Sequence, residues 1–546
     1  MAMLRHKSGV IVDPNAASRS ALRAMLSAIG MVQVVQAAGS VDALRRVKEK
    51  PADIILCDYL LEDGRDGQQL LEEMRNKHLI PLSTAFIVIT RERRYQSVVS
   101  VAELAPDDYL LKPFTPQHLL ERLEAVLEKK HAFRHAHRHL EAGEAEATLN
   151  ACDAVCRKYS HYRLDALRLK AETLMALKRT AEAEALYRQI LAVRAVPWAK
   201  MGLAFASHEA GQLDEAADLT LDVISNHPNY IAAYDLAARI DEDRGRLAEA
   251  QQHLQSAVSH APHGLMRQRH LGQLAAQNGD LETAETALRT VISRAAGSSL
   301  REVADYAQLV RLQVAAGKGA AALETVAALR KEMRDDPAAP MVGCALAALT
   351  HSRMGNAAEA DAAAELAIEA SSRAGHEVQA SVLVDVSQAL IVSGRVAAGE
   401  SVLRRAIALG EGDERFGKYM NRVMASFEAT AGVADNLRED VRQRLVHINN
   451  EGVRLGQAGH LDEAIKLFRE AMAQMPSVQM FANAAKAILA KLNRDGWDEP
   501  MAEEARGYLQ QAKRQAVADA RVDAAIAAYA QVAVKYGIKT DALRES

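Results

Sequence analysis

The chain is poor in cysteine. It has four among 546 residues, Cys57, Cys152, Cys156 and Cys344, and none forms a C-x-x-C pair. A disulfide scaffold needs a far higher density, so reduced thiols and a cytoplasmic setting are expected. Aromatic residues are also scarce, at 4%, with two tryptophans. Strands favour aromatic and β-branched residues and helices favour Ala and Leu, so most of the length should be helical. Glycine (30) and proline (13) are too few for a collagen-like or Pro/Gly-rich disordered chain. No apolar run reaches the ~18 residues needed to cross a bilayer. The leading MAMLRHKSG has no long apolar stretch, so neither a signal peptide nor membrane insertion is expected. Positive charge is not in excess: 67 Lys and Arg face 71 Asp and Glu, a formal net charge of −4. That disfavours nucleic acid as a partner. P-loop, dinucleotide-fingerprint, HExxH and nucleophile-elbow motifs are all missing, so no enzyme is expected.

What is present falls into two regions. Residues 1–128 alternate short apolar runs with helical patterns. The runs are VIV (10–12), VQVV (32–35), DIILC (53–57), AFIVI (85–89) and YLL (109–111). Helical patterns follow at 18–29, 41–50, 68–77, near 94–104 and at 115–128. Five strands alternating with five helices predict an α/β fold, a doubly wound parallel sheet covered on both faces. Ligands of such sheets sit beyond the carboxyl ends of the strands. Asp13, Asp58, Thr90 and Lys112 all fall there, although far apart in sequence.

From about 140 the pattern changes. Gly211, Gly245 and Gly279 recur every 34 residues, as do Ala216, Ala250 and Ala284, and Ala204, Ala238 and Gly272. Pro228 and Pro262 keep the same step. The segments GQLDEA, GRLAEA, GDLETA and GHLDEA are variants of one turn and helix start. A 34-residue period predicts helix–turn–helix pairs in an all-α array. The glycine ends one helix, the small residue lets two helices approach, and the proline interrupts the link to the next pair. The stretch GEGDERFG (410–417) is the most loop-like of this half and predicts a break near 410–440.

The motifs of the first region, VIVD, ILCDY, IVIT and DDYLLKPF, resemble the receiver (CheY-like) domain of two-component response regulators over residues 8–128. The resemblance implies that Asp58 accepts a phosphoryl group from a histidine kinase or phosphotransfer protein. It implies that Thr90 is the switch hydroxyl, Tyr109 the switch aromatic and Lys112 the phosphate-pairing lysine. It further implies a cis bond before Pro113. Mg²⁺ is the implied cofactor, held by Asp13, Asp58 and the backbone carbonyl of Leu60, because a carboxylate attacking phosphorus brings like charges together. A homodimer through the receiver is a further implied partner.

The sequence departs from the family in three places. Pro14 stands where a second acid is usual, leaving Asn15 as a neutral oxygen nearby. The loop after Asp58, YLLEDGRDG, is a residue longer and places Glu62, Asp63 and Asp66 within reach. Arg91 follows Thr90 where a small residue is usual; it narrows access or binds the phosphoryl group. Two readings therefore stand side by side: a phosphorylated switch, and a phosphorylation-independent adaptor.

The 34-residue pattern resembles tetratricopeptide (TPR) repeats over about 140–530, with nine or ten helix pairs. This implies a TPR-type α-solenoid that binds a protein or peptide, a catalytic partner being one alternative. Between the regions, KKHAFRHAHRH (129–139) reads as a solvated basic helical joint. Its His131, His135 and His139 share one helix face, a spacing that can also hold a metal. Trp198 is expected in the core and Trp497 in an exposed loop.

Overall fold

The computed structural model describes residues 4–61, 66–91, 106–262, 264–296, 300–373, 378–515 and 519–538. The helix expected near 94–104, Glu62 and Asp63 lie outside them. The chain divides into two units, Met1–Ser299 and Leu300–Ser546.

The first unit begins with β1 (Ser8–Val12), α1 (Ala16–Ala28), β2 (Gln33–Ala37), α2 (Ser40–Glu49), β3 (Ile54–Asp58), α3 (Gly67–Asn76), β4 (Ala85–Thr90) and β5 (Asp108–Leu111). The strands are parallel in the order β2-β1-β3-β4-β5, the doubly wound sheet expected. Alternation along β3 sends Ile54 and Leu56 to one face and Ile55 and Cys57 to the other. The first face packs with Leu22, Leu26, Leu119 and Leu123, the second with Val47, Leu70 and Met74. The inner strands β1, β3 and β4 therefore bury both sides, which explains their nearly continuous apolar sequences, while the edge strand β2 leaves Gln33 and Val35 exposed.

The next helix, α4, runs unbroken from Pro116 to Glu141. The expected boundary at 128 and the separate joint are thus one helix. Thr115 caps it through the His118 amide, Pro116 occupies the first turn, and no glycine or proline follows. Lys130 is the tie to the sheet. Its ammonium pairs with Asp107 at 2.6 Å and donates to the Leu82 carbonyl at 2.7 Å. Glu141 accepts from the Leu82 amide. These contacts lie at the amino ends of β4 and β5, the edge of the sheet opposite Asp58. Farther along, Phe133 and Ala136 pack with Cys152, Val155 and Ala166 of the first helical pair.

The unit continues through α5 (Ala145–Lys158), α6 (Arg163–Ala176), α7 (Thr180–Val193), α8 (Pro197–Glu209), α9 (Leu213–Asn226), α10 (Ile231–Asp243), α11 (Leu247–His260), α12 (Leu265–Gln277) and α13 (Leu281–Ala295). The 34-residue signature acts as expected. Gly211 and Gly245 end their helices at φ +76° and +73°, where a side chain is strained. Ala216, Ala250 and Ala284 are fully buried. A Cβ on Gly272 would lie 3.1 Å from Leu288, so the step must stay small there. Trp198 is half-buried rather than central, edge-on to Tyr187 and under the Arg168 guanidinium.

The second unit holds α14 (Val303–Ala315), α15 (Gly319–Glu332), α16 (Ala339–Met354), α17 (Ala357–Arg373), α18 (Ala380–Val392), α19 (Val396–Leu409), α20 (Glu414–Ala425), α21 (Val433–Gln457), α22 (Leu461–Gln474), α23 (Val478–Asp495), α24 (Glu499–Gln515) and α25 (Ala520–Lys535). The loop-like stretch near 410 is a turn before α20. A 3₁₀ turn (Glu428–Thr430) and the 25-residue α21 then interrupt the regular pair lengths. Trp497 is half-buried against Tyr536. Among the described residues no helix is long and apolar enough to cross a membrane.

Candidate functional site

Parallel register brings the distant polar residues together. Val12 pairs with Cys57, Asp58 with Ile89, and Thr90 with Leu111, so Asp13, Asp58, Thr90 and Lys112 stand at the ends of four adjacent strands. The Lys112 ammonium joins the two carboxylates. It lies 2.5 Å from Asp58 Oδ2, 2.9 Å from Asp13 Oδ2 and 3.2 Å from Ser18 Oγ. Asp13 is 2% exposed. Burial alone would raise its carboxyl, yet hydrogen bonds from Ser18, Lys112 and the Asn15 amide outweigh it and hold the group below the usual carboxylate range. Lys112 is likewise kept charged: burial opposes the ammonium, and the two carboxylates more than restore it.

Local structure sets each position. Asn15 caps α1, its side-chain oxygen accepting the Ser18 amide at 2.9 Å. Arg19 clamps the preceding loop through the carbonyls of Asp13 (2.6 Å) and Pro14 (2.8 Å). Asp58 Oδ1 accepts the Leu60 amide at 3.1 Å. Asp66 caps α3 in a reciprocal box with Gln69, so its carboxylate is engaged in a helix start. The following Gly67 is obligatory, since a Cβ there would lie 2.8 Å from the Asp58 carbonyl. Thr90 is buried, and Arg91 is exposed. The Lys112–Pro113 bond is cis, as expected. Tyr109 packs inward against the α2/α3 side of the core, its hydroxyl buried and without a partner among the described residues; burial pushes that phenol far up.

Ser18 was not among the expected site residues. Its signal was weak: a hydroxyl five residues after Asp13, legible only once α1 is known to begin at Ala16. The donor set suits a cation, because two carboxylates already converge on one ammonium. Asp13, Asp58 and the Leu60 carbonyl are the oxygens that would hold Mg²⁺ if the resemblance extends to the metal, and Pro14 leaves them one acid short of its pattern. Among the described residues no group of three or more His, Cys, Asp or Glu side chains is gathered for a metal. On α4, His131 meets Arg134 at 3.0 Å, His135 meets Arg138 at 2.8 Å and His139 meets Glu144 at 2.6 Å.

Comparison with known proteins agrees with this geometry. Residues 10–124 match the family model of the response regulator receiver domain. They are a receiver domain. A probable transcriptional regulator, ycf27, of Guillardia theta is 32% identical over 120 residues, which cover 22% of this chain and 45% of that protein. The chain thus spans just under half the length of the curated relatives it matches. A CheY-like receiver domain protein from Methanospirillum hungatei is 25% identical, covering 23% of this chain and 96% of that one at a TM-score of 0.20. MamA from Desulfovibrio magneticus is 20% identical, covering 30% of this chain and 93% of that one at a TM-score of 0.26. The receiver domain is followed by helical pairs. Receiver domains generally bind Mg²⁺.

Proposed function

We propose that this protein is a two-component response regulator in which Asp58 takes a phosphoryl group from a kinase phosphohistidine and the TPR-type pairs bind a partner protein. The observation that carries this reading is the Lys112 ammonium held 2.5 Å from Asp58 at the end of the central strand. A carboxylate oxygen of Asp58 attacks phosphorus, an O–P bond forms, and the N–P bond of the donor breaks with its electron pair returning to the imidazole. Lys112 then pairs with the phosphoryl oxygens as it now pairs with the carboxylates. A divalent ion, when bound, supplies the neutralising charge between phosphoryl and carboxylates. The buried Thr90 hydroxyl is next in reach on β4, and Tyr109 lies on β5 beyond it. A change at these two strand ends biases the receiver surface that a second copy or the helical pairs can use.

The test is to incubate the full chain with Mg²⁺ and acetyl phosphate and read the intact mass. A phosphoryl increment that Asp58→Ala abolishes supports the reading; no increment in the wild type overturns it. One observation favours the phosphorylation-independent adaptor. Tyr109 is already turned inward with its hydroxyl buried, so the aromatic half of the switch is set without a phosphoryl group. Partner affinity unaffected by beryllofluoride would decide for the adaptor.

A further inference from the structure

Ser18 touches both Asp13 and Lys112, yet phosphoryl transfer to Asp58 gives it no task. We propose that Ser18 is a positioning residue that locks Lys112 onto Asp13, and thereby sets how strongly the pocket takes up a divalent cation. The inference rests on the receiver reading of the pocket.

The lock follows from counting donors and acceptors. An ammonium has three N–H groups. Those of Lys112 are matched by three acceptors: Asp58 Oδ2, Asp13 Oδ2 and Ser18 Oγ. The Ser18 hydroxyl in turn donates to the same Asp13 Oδ2 at 2.5 Å. Asp13 Oδ1 accepts the Asn15 amide at 2.8 Å. Three donors thus occupy a carboxylate with about four lone-pair positions, and the group is almost wholly enclosed.

The backbone of Ser18 is held in place, its amide bonded to the Asn15 cap and the preceding loop fixed by Arg19. Turning the hydroxyl away about the Cα–Cβ bond costs its hydrogen bonds to Asp13 and Lys112. Mg²⁺ demands near-ideal octahedral geometry with oxygens at about 2.1 Å. To reach Asp13 Oδ2 it must displace the hydroxyl and loosen the ammonium. Among the described residues the pocket offers two carboxylates against one ammonium, a weak attraction for a dication to begin with. Pro14 removes the acid that would strengthen it, and Ser18 spends part of what remains.

The experiment is a Mn²⁺ titration of the full chain followed by electron paramagnetic resonance, with Mg²⁺ as competitor, for wild type, Ser18→Ala and Ser18→Thr. Removing one hydrogen bond to a charged group should tighten Mg²⁺ binding in Ser18→Ala on the order of ten-fold. Ser18→Thr keeps the hydroxyl and should keep wild-type affinity. A merely structural role would weaken binding instead. Should Ser18→Ala not fold, the pair Ser18→Thr and Ser18→Val, alike in shape and differing in the hydroxyl, reads the same contrast. Binding that is unchanged or weaker without the hydroxyl, or absent in every variant, overturns the proposal. A wild type that Asp58 phosphorylation never labels, beside a tighter-binding Ser18→Ala, would sink the functional reading and leave this one standing.

Discussion

Arg311 and Asp385, 74 positions apart, meet as a buried ion pair, Nη1 to Oδ1 at 2.6 Å. The pair joins α14 to α18, and the Tyr419 hydroxyl of α20 donates to the same oxygen at 2.8 Å. Asp385 Oδ2 is buried without a partner among the described residues. Burial pushes the Asp385 carboxyl up while Arg311 and Tyr419 pull it down. Three helices, α14, α18 and α20, are therefore clasped through one carboxylate.

Breaking that clasp from one side should be costly. Arg311→Met leaves Asp385 buried and unneutralised, and the second unit should lose about 3–5 kcal/mol. The double variant Arg311→Met, Asp385→Leu should recover most of the loss, because neither charge then needs solvation. Urea midpoints of the single and double variants check this; a double variant as unstable as the single one would contradict it.

His137 should make stability depend on pH. It stacks on Phe133 with ring centroids 5.8 Å apart, and its Nδ1 is buried without a partner among the described residues. Burial, with Lys130 and Arg75 nearby, lowers its pKa to about 3. An unfolded histidine titrates near 6.5, so between these values the unfolded chain binds the extra proton. The contribution is intact above about pH 6.5 and is lost as pH falls toward 3, with a slope of at most about 1.4 kcal/mol per pH unit. Thermal midpoints at pH 7.5 and 5.0 should fall less in His137→Phe than in wild type.

Two glycines should respond oppositely to alanine. Gly211 sits at φ +76°, so Gly211→Ala should destabilise by about 1–2 kcal/mol. Gly507 is exposed within α24, and a Cβ there meets nothing within 4 Å. Gly507→Ala should stabilise by about 0.5–1 kcal/mol. Denaturant midpoints of the two variants should move in opposite directions.

Lys130→Met should loosen the receiver from the helical pairs. It removes the ammonium that Asp107 and the Leu82 carbonyl share, leaving two part-buried acceptors short of a donor, at a cost of about 1–3 kcal/mol. Limited proteolysis should cut faster around residues 78–84, with Asp58 chemistry unchanged.

The parts that were legible in the sequence are those governed by local period. Apolar runs placed the five strands to within two residues, because strands buried on both faces leave few other choices. The 34-residue step placed the turns at Gly211, Gly245 and Gly279. Asp58 and Lys112 were legible because strand-end position and side-chain charge coincide. Features depending on distant partners were not. Basic residues and histidines suggested a separate joint, but α4 continues because Ala132, Phe133 and Ala136 bury one stripe and Lys130 reaches the sheet, while Lys129, Arg134 and Arg138 face outward. Ser18 reads as an ordinary helix-start residue until Lys112 arrives from 94 positions away. Nothing local marks Arg311 and Asp385 as partners.

The unbroken course of α4 has a mechanical consequence. At 1.5 Å per residue its 26 residues form a rod about 39 Å long. The sheet grips one end through Leu119 and Leu123, and the first repeat grips the other through Phe133 and Ala136. No swivel lies between the two grips. Sheet and first repeat are keyed to a common axle, and torque applied at either end must arrive at the other.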